Sequence, residues 1–270
     1  MKTQMLDQLT PPVRGLMIDM DGVLWKDAAP IGDLSTVFNA IESKGLKVTV
    51  ATNNATMTVQ ENLEKLWGFG VHLEPAQVVT SSEATAHTLA SRLQGRDAIF
   101  VVGEGGVIKA LIEQGFHVIS DALDDTKVAA VVAGIDRALT YQKLRRAAAH
   151  IRAGALFFGT NPDKTFPMPE GLIPGAGSIL AAIAAASDVE PVVIGKPAPF
   201  MFQLSAQRME LSRHEVLVIG DRLETDVAGG QAFGARTALV LSGVSTREQA
   251  AKWNPPPSLI AADLAQLIGA

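Results

Sequence analysis

The stretch Gly15-Leu16-Met17-Ile18 is short and wholly apolar, and it runs into Asp19-Met20-Asp21-Gly22-Val23. A brief apolar run of this kind fits a strand buried on both faces, as in a parallel sheet. The two aspartates then stand where the strand ends and the chain turns at Gly22. In an open α/β sheet, that carboxyl edge is where ligands bind. Strand alternation would bury one of the two carboxylates, at a cost of roughly several kcal/mol unless a cation or hydrogen bonds offset it. A solvated Asp-Gly turn fits the same five residues. The choice between a turn and a site therefore rests on the remainder of the chain.

At 270 residues the chain is long enough for one large domain or two ordinary ones. It is 47% hydrophobic but only 5% aromatic, so its core must be aliphatic. The net charge of -5, with no basic block, argues against nucleic acid and anionic membrane surfaces as partners. The absence of cysteine removes disulfides, thiolate metal sites and a cysteine nucleophile together. Met1-Lys2-Thr3-Gln4-Met5-Leu6-Asp7 has no apolar segment of the kind a secretory leader carries. The longest apolar run, Ile179 to Ala186, is too short to span a bilayer. A cytoplasmic location is the expectation.

Helical periodicity runs from Leu34 to Lys44, with Asp33 placed to cap it and Gly45 to end it. Leu46 to Ala51 then reads as a second strand, ending at Thr52-Asn53-Asn54. A βαβ unit closes with a right-handed crossover. That brings Thr52, Asn53 and Asn54 to the same sheet edge as Asp19 and Asp21. A hydroxyl, a side-chain amide and backbone N–H groups are good donors to a phosphate or carboxylate, and equally good caps for the helix that follows. From about Ser82 to Gly175 the chain holds its own set of strands and helices, and we expect an inserted second domain over 82–175. Within it, Gly103-Glu104-Gly105-Gly106 lacks the full spacing of a dinucleotide loop and reads as a strand-to-helix turn. The first domain, 1–81, resumes over 176–270. There, Pro191 to Ile194 reads as a strand before Gly195-Lys196-Pro197, and Glu215 to Ile219 as a strand before Gly220-Asp221-Arg222-Leu223-Glu224-Thr225-Asp226.

Polar clusters thus follow four apolar strands: Asp19/Asp21, Thr52/Asn53/Asn54, Lys196, and Asp221/Asp226. Each alone fits a turn, a cap or a surface charge. Together, at equivalent positions of one parallel sheet, they converge on one edge. Several carboxylates in one pocket repel each other without a cation. Oxygen ligands with a lysine and neutral donors beside them suit Mg2+, which usually shares its site with a substrate phosphate.

These four motifs, in this order, resemble those of the haloacid dehalogenase superfamily, and their wording is similar to its para-nitrophenyl phosphatase or NagD-like branch. The resemblance covers nearly the whole chain. It implies an α/β fold with a doubly wound, Rossmann-like parallel-sheet core and an inserted α/β cap domain. It makes Asp19 a nucleophile that forms an aspartyl-phosphate, and Asp21 the acid that protonates the leaving oxygen and then activates water. It has Mg2+ held by Asp19, the backbone carbonyl of Asp21, and Asp221. It assigns Thr52, Asn53, Asn54 and Lys196 to the phosphoryl oxygens, and Asp226 to orienting the metal shell or Lys196. Haloacid dehalogenases proper lack a carboxylate at the position of Asp21, which favours phosphoryl chemistry.

Substrate choice is expected in the cap, at Thr160-Asn161-Pro162-Asp163, with Asn161 and Asp163 positioning the cap or the substrate. Lys164 and Phe166 could contact a leaving group or simply form a loop. Pyridoxal phosphate phosphatases carry a histidine where this chain has Phe166, which disfavours that substrate. The expected partner is a small phosphorylated metabolite, with homodimers through the cap implied by the family. A phosphotransferase or mutase on the same core, or a non-catalytic phosphometabolite-binding protein, are the alternative readings.

Overall fold

The computed structural model describes residues 5–94, 96–168 and 171–270. The first four residues of the stretch read as lacking a leader lie outside them. The first apolar run forms β1 (Gly15–Asp19), buried up to its half-buried last residue. A two-stranded hairpin follows, β2 (Trp25–Lys26) and β3 (Ala29–Pro30), then a helix Leu34–Ser43 and β4 (Lys47–Thr52). The Asp33 side chain caps that helix through the Thr36 N–H at 3.1 Å, and Gly45 takes the left-handed conformation past its end (φ +65°). Beyond the helix Val59–Gly68 lies β5 (Val78–Thr80). A second series comprises β6 (Ala98–Val102), β7 (His117–Ile119), β8 (Ala130–Ala133), β9 (Leu156–Gly159), a hairpin of β10 (Thr165–Met168) and β11 (Gly171–Pro174), and β12 (Val192–Val193). The chain closes with β13 (Val216–Gly220), β14 (Arg236–Val240) and β15 (Leu259–Ala261).

The chain divides into two compact units. One holds the chain up to Thr52, Val59–Val79 and Lys196–Ala270; the other holds Asn53–Thr58 and Thr80–Gly195. In the first unit, six strands lie in the order β15-β14-β13-β1-β4-β5. β1 pairs in parallel with both β13 and β4. One face of this sheet packs Leu16, Ile18, Val48, Val50, Leu217 and Ile219 beneath helices that include Leu34–Ser43 and Leu264–Ile268. The other packs Met17 and Val218 against Phe202 and Met209 of the helix Phe200–Met209. Burial on both faces is why these strands read as unbroken apolar runs.

In the second unit a five-stranded sheet has the order β12-β9-β8-β6-β7, parallel throughout. Its core includes Phe100, Val102, Val131 and Phe157 together with Ile179, Leu180 and Ile183 of the helix Ala176–Ser187. This corrects the expected boundary. The stretch 176–195, read as the return of the first domain, packs with the second. The expected strand Pro191–Ile194 is reduced to β12, which pairs with β9 (Val192 opposite Phe158). Helical periodicity says that a face is buried, but not against which sheet. Here the helix seats on Gly159, where an added Cβ would lie 2.4 Å from Leu180 Cδ1. Segment 53–58 and the start of the helix Ser81–Ala90 also belong to the second unit, not the first. Both short hairpins went unread, since pairs of this length carry no periodicity. No helix among the described residues is long and apolar enough to cross a membrane.

The allocation of the helix Ala176–Ser187 can be checked directly. Ile183→Ala should cost about 2–5 kcal/mol in urea denaturation. Amide exchange should accelerate in β6, β8 and β9 and stay unchanged in β1, β4 and β13.

Candidate active site

Register assembles the carboxyl edge of the first sheet. Asp19 pairs with Ala51, so Thr52 falls one residue beyond it. Ile18 pairs with Ile219, which sets Gly220 level with Asp19 and Asp221 just past the strand. The loop after β14 then grips Asp221. The Val244 N–H donates to its Oδ2 at 2.8 Å, and the Ser245 N–H to its backbone carbonyl at 3.0 Å. Two glycines lie against this carboxylate. A Cβ on Gly243 would stand 1.9 Å from Oδ2, and one on Gly22, whose φ is +84°, would stand at 2.5 Å. Asp221 is 1% exposed, and its Oδ1 is buried without a hydrogen-bond partner.

Asp226 sits in a π-helical turn, Leu223–Val227, that opens the helix continuing through Ala228–Phe233. Its Oδ2 accepts the Arg222 N–H at 3.2 Å and its Oδ1 accepts Lys196 Nζ at 2.7 Å. Lys196 Nζ also donates to Asp19 Oδ1 and, at 3.3 Å, to the carbonyl of Ala51. The lysine is 3% exposed. It does not follow a strand of this sheet, as the sequence led us to expect, because β12 belongs to the other sheet. The long side chain spans what strand position does not supply. Three of the expected clusters are thus strand ends of one sheet, and the fourth is delivered by the chain re-entering the unit.

Asp19, Asp221 and Asp226 each bring a carboxylate oxygen within 4.8 Å of the others. Burial pushes the Asp19 carboxyl well above the usual range. Lys196 draws it back, while Asp226, Asp221 and Asp21 push it further up. Asp221 is raised to about 6, by burial first and then by Asp226. Burial alone would lower the Lys196 ammonium, but Asp19 and Asp226 outweigh it and the net shift is upward. One ammonium therefore faces three buried carboxylates. The partnerless Asp221 oxygen and an all-oxygen donor set fit a hard divalent cation.

Asp21, two residues after Asp19 and past the end of β1, is exposed. Its Oδ1 accepts the indole N–H of Trp25 at 2.8 Å and its Oδ2 lies 3.4 Å from Thr52 Oγ1. Trp25 and the loop Ser242–Ser245 were not picked out by sequence reasoning. For Trp25 the signal was its place four residues after Asp21; the loop's only signal was Ser242-Gly243 after an apolar strand.

The other expected residues fall in the second unit. Asn54 Oδ1 closes its own turn, accepting from Thr56 N (2.9 Å) and Thr56 Oγ1 (2.7 Å). The Asn53 carbonyl accepts from Ser81 Oγ and from Asn161 Nδ2, both at 2.8 Å. Asn161 Oδ1 accepts the Asp163 N–H at 3.1 Å, and Asn53 Nδ2 lies 3.4 Å from Asp163 Oδ2. Asn53, Asn161 and Asp163 thus form one hydrogen-bonded group that fixes segment 53–58 within this unit.

Comparison with known proteins agrees with this layout. Residues 16–117 match the haloacid dehalogenase-like hydrolase model and 193–267 a HAD-hydrolase-like model. An acid sugar phosphatase of Staphylococcus aureus is 33% identical over 255 residues, 94% of this chain and 96% of that protein. The chain belongs to the haloacid dehalogenase-like hydrolases, among their phosphatases. Among solved structures, the p-nitrophenyl phosphatase from Archaeoglobus fulgidus superimposes with a TM-score of 0.89 at 30% identity, over 96% of this chain and 99% of that one. The glycerol phosphate phosphatase from Mycobacterium tuberculosis, solved in complex with magnesium, gives 0.86 at 33% identity, over 94% of this chain and 76% of that one.

Two measurements test the geometry of the carboxylates. Gly243→Ala should displace Asp221 and weaken divalent-cation affinity by about 10- to 100-fold, read by titration calorimetry. The second test concerns pH. Because the folded Asp221 holds its proton to about 6 against an ordinary 3.8, the cation-free fold binds more protons than the unfolded chain in that window. Its stability should fall as pH rises from about 4 to about 6. The gain in Tm on adding Mg2+ should be larger above this window than below it.

Proposed function

We propose that the chain is a Mg2+-dependent phosphomonoester hydrolase that works through a phosphoaspartyl intermediate on Asp19. The observation that carries this reading is the shared ammonium. Lys196 binds Asp19 and Asp226 together, while Asp221 keeps a buried oxygen without a partner. Burial and the neighbouring carboxylates favour a proton on Asp19, and Lys196 opposes them by favouring the anion; a bound cation would act in the same direction as Lys196. Asp19, Asp221 and the backbone carbonyl of Asp21 would hold the Mg2+, which when bound offsets the repulsion between a carboxylate nucleophile and a phosphate dianion.

In the first step a carboxylate oxygen of Asp19 bonds to phosphorus as the ester P–O bond breaks. Asp21 gives its proton to the departing alcohol. In the second, water attacks phosphorus, Asp21 takes the water's proton, and the bond to Asp19 breaks to release phosphate. Splitting hydrolysis into two displacements is the gain of covalent catalysis. Thr52 and Lys196 hold phosphoryl oxygens, where charge spreads in the transition state. Asp226 acts by fixing Lys196.

Leaving-group recognition falls to the second unit in this reading. The carboxyl edge of its sheet gathers Glu104 bonded to Arg137 Nε (2.7 Å), Asp136 bonded to Lys143 Nζ (2.7 Å), and Asn161 with Asp163. Paired charges and amides suit hydroxyl groups better than an aromatic cofactor ring. The names of the staphylococcal and mycobacterial relatives, an acid sugar phosphatase and a glycerol phosphate phosphatase, point the same way. Sugar and polyol phosphates are therefore the first substrates to try, ahead of pyridoxal phosphate.

The test is phosphate release from sugar phosphates, glycerol phosphate, phosphoglycolate, nucleotide monophosphates, pyridoxal phosphate and p-nitrophenyl phosphate, with Mg2+ and with EDTA. Turnover should need Mg2+ and drop to background in Asp19→Asn. A folded, Mg2+-loaded protein that releases phosphate from none of these esters would overturn the reading.

A further inference from the structure

Trp25 is held more tightly than a packing residue needs. It is 2% exposed. Phe69 lies against its ring, with centroids 6.0 Å apart, and Lys65 Nζ stands 4.0 Å from the ring centre. The same ammonium donates to the Asp27 carbonyl at 3.2 Å. Asp27 is at the turn of the hairpin β2–β3, with φ +55°. The helix Val59–Gly68 thus ties down both the hairpin and the indole. The hairpin in turn is joined to the turn that follows Asp21, since the Trp25 carbonyl accepts the Gly22 N–H at 2.7 Å. From this mount the indole N–H reaches Asp21 Oδ1 at 2.8 Å.

An indole nitrogen donates and never accepts. Whatever Asp21 does, its Oδ1 stays an acceptor while that bond lasts. We propose that Trp25 is the positioning residue for proton transfer: it reserves Oδ1 and leaves Oδ2, beside Thr52 Oγ1, as the oxygen that exchanges protons with the substrate. The proposal rests on the phosphoaspartyl reading. In the first step the proton passes from Oδ2 to the leaving oxygen as its bond to phosphorus breaks and the bond to Asp19 forms. In the second, the attacking water's proton returns to Oδ2 as the bond to Asp19 breaks. Asp21 is exposed and lies at the start of a turn, so without the indole its carboxylate would sample several rotamers. Phe69 and Lys65 fix the ring, and the ring fixes the carboxylate.

A buried tryptophan seeks an acceptor for its N–H whatever its role, so the test must separate positioning from packing. Trp25→Phe keeps a ring for Phe69 and Lys65 and removes the N–H. The parameter is kcat/KM, which covers the steps up to departure of the alcohol, measured on esters from p-nitrophenyl phosphate to alkyl phosphates. Alkyl leaving groups need the proton, whereas p-nitrophenolate leaves without it. The variant should lose about 10- to 100-fold on alkyl esters and change little on p-nitrophenyl phosphate, with Tm close to the parent. Trp25→His, which restores a ring N–H, should recover part of the alkyl-ester loss. An equal loss on all esters, or none on any, would sink the proposal. Asp21→Asn is measured beside it. If that variant shows the leaving-group dependence and Trp25→Phe does not, the role of Trp25 fails and the hydrolase reading stands. If neither does, the assignment of Asp21 fails and the role of Trp25 fails with it.

Discussion

A lysine ammonium buried among Asp19, Asp226 and the Ala51 carbonyl is the contact on which the rest of the first unit depends. Removing a charge from water costs far more than a typical hydrogen bond returns, and a buried ion pair is tolerated only when its geometry and its other bonds are good. Lys196 meets that condition with three oxygen partners. The carboxylates do not. Three clustered acids share one base, and Asp221 has a buried carboxylate oxygen without a hydrogen-bond partner among the described residues. The surplus negative charge fits a divalent cation. At Asp19 the ammonium alone opposes burial and three neighbouring carboxylates, so a bound cation would favour the ionised form there as well.

The fold meets this demand mostly through register. Because β1 lies between β4 and β13 with Asp19 level with Ala51 and Gly220, the residues just past three strands come together without any long-range search. Parallel strands end at a common edge, so the site forms whenever the sheet does. What register leaves out, individual contacts supply. Glycines at 22 and 243 allow the backbone to lie against Asp221 where a Cβ would collide. A π-helical turn opens the helix at Asp226 far enough for both of its oxygens to find donors. Such turns are costly in isolation and tend to occur at functional sites.

Features that rest on local periodicity or on one strand's end were legible in the sequence. Asp33 capping Leu34–Ser43 and the aspartates after β1 and β13 were placed by counting residues. Features that depend on partner choice were not. Nothing in Ala176–Ser187 or Val192–Val193 says which of two sheets will take them, and the boundary shifted from 175 to 195 on that account. Lys196 was singled out by residue type and does meet Asp19 and Asp226, but it was placed by the wrong reasoning, since the strand before it is not in the sheet of those aspartates. Asn54 was grouped with phosphate donors because amides make both caps and binding sites, and the structure shows its Oδ1 closing a turn. Trp25 escaped notice because a tryptophan after a buried strand reads as core, and it is core as well.

The motif Asp19-Met20-Asp21 began as two like residues whose roles could not be told apart by type. The chain leaves β1 between them, so Asp19 ends the strand and Asp21 lies in the turn beyond it. Asp19 remains at the sheet edge under the Lys196 ammonium, with 11% of its side chain exposed. Asp21 turns outward, is met by an indole and a hydroxyl, and keeps access to solvent. Two carboxylates acquire two tasks when their surroundings differ, and here the difference is made by where one strand stops. The turn at Gly22, which packs on Asp221 as it reverses the chain, separates the two environments.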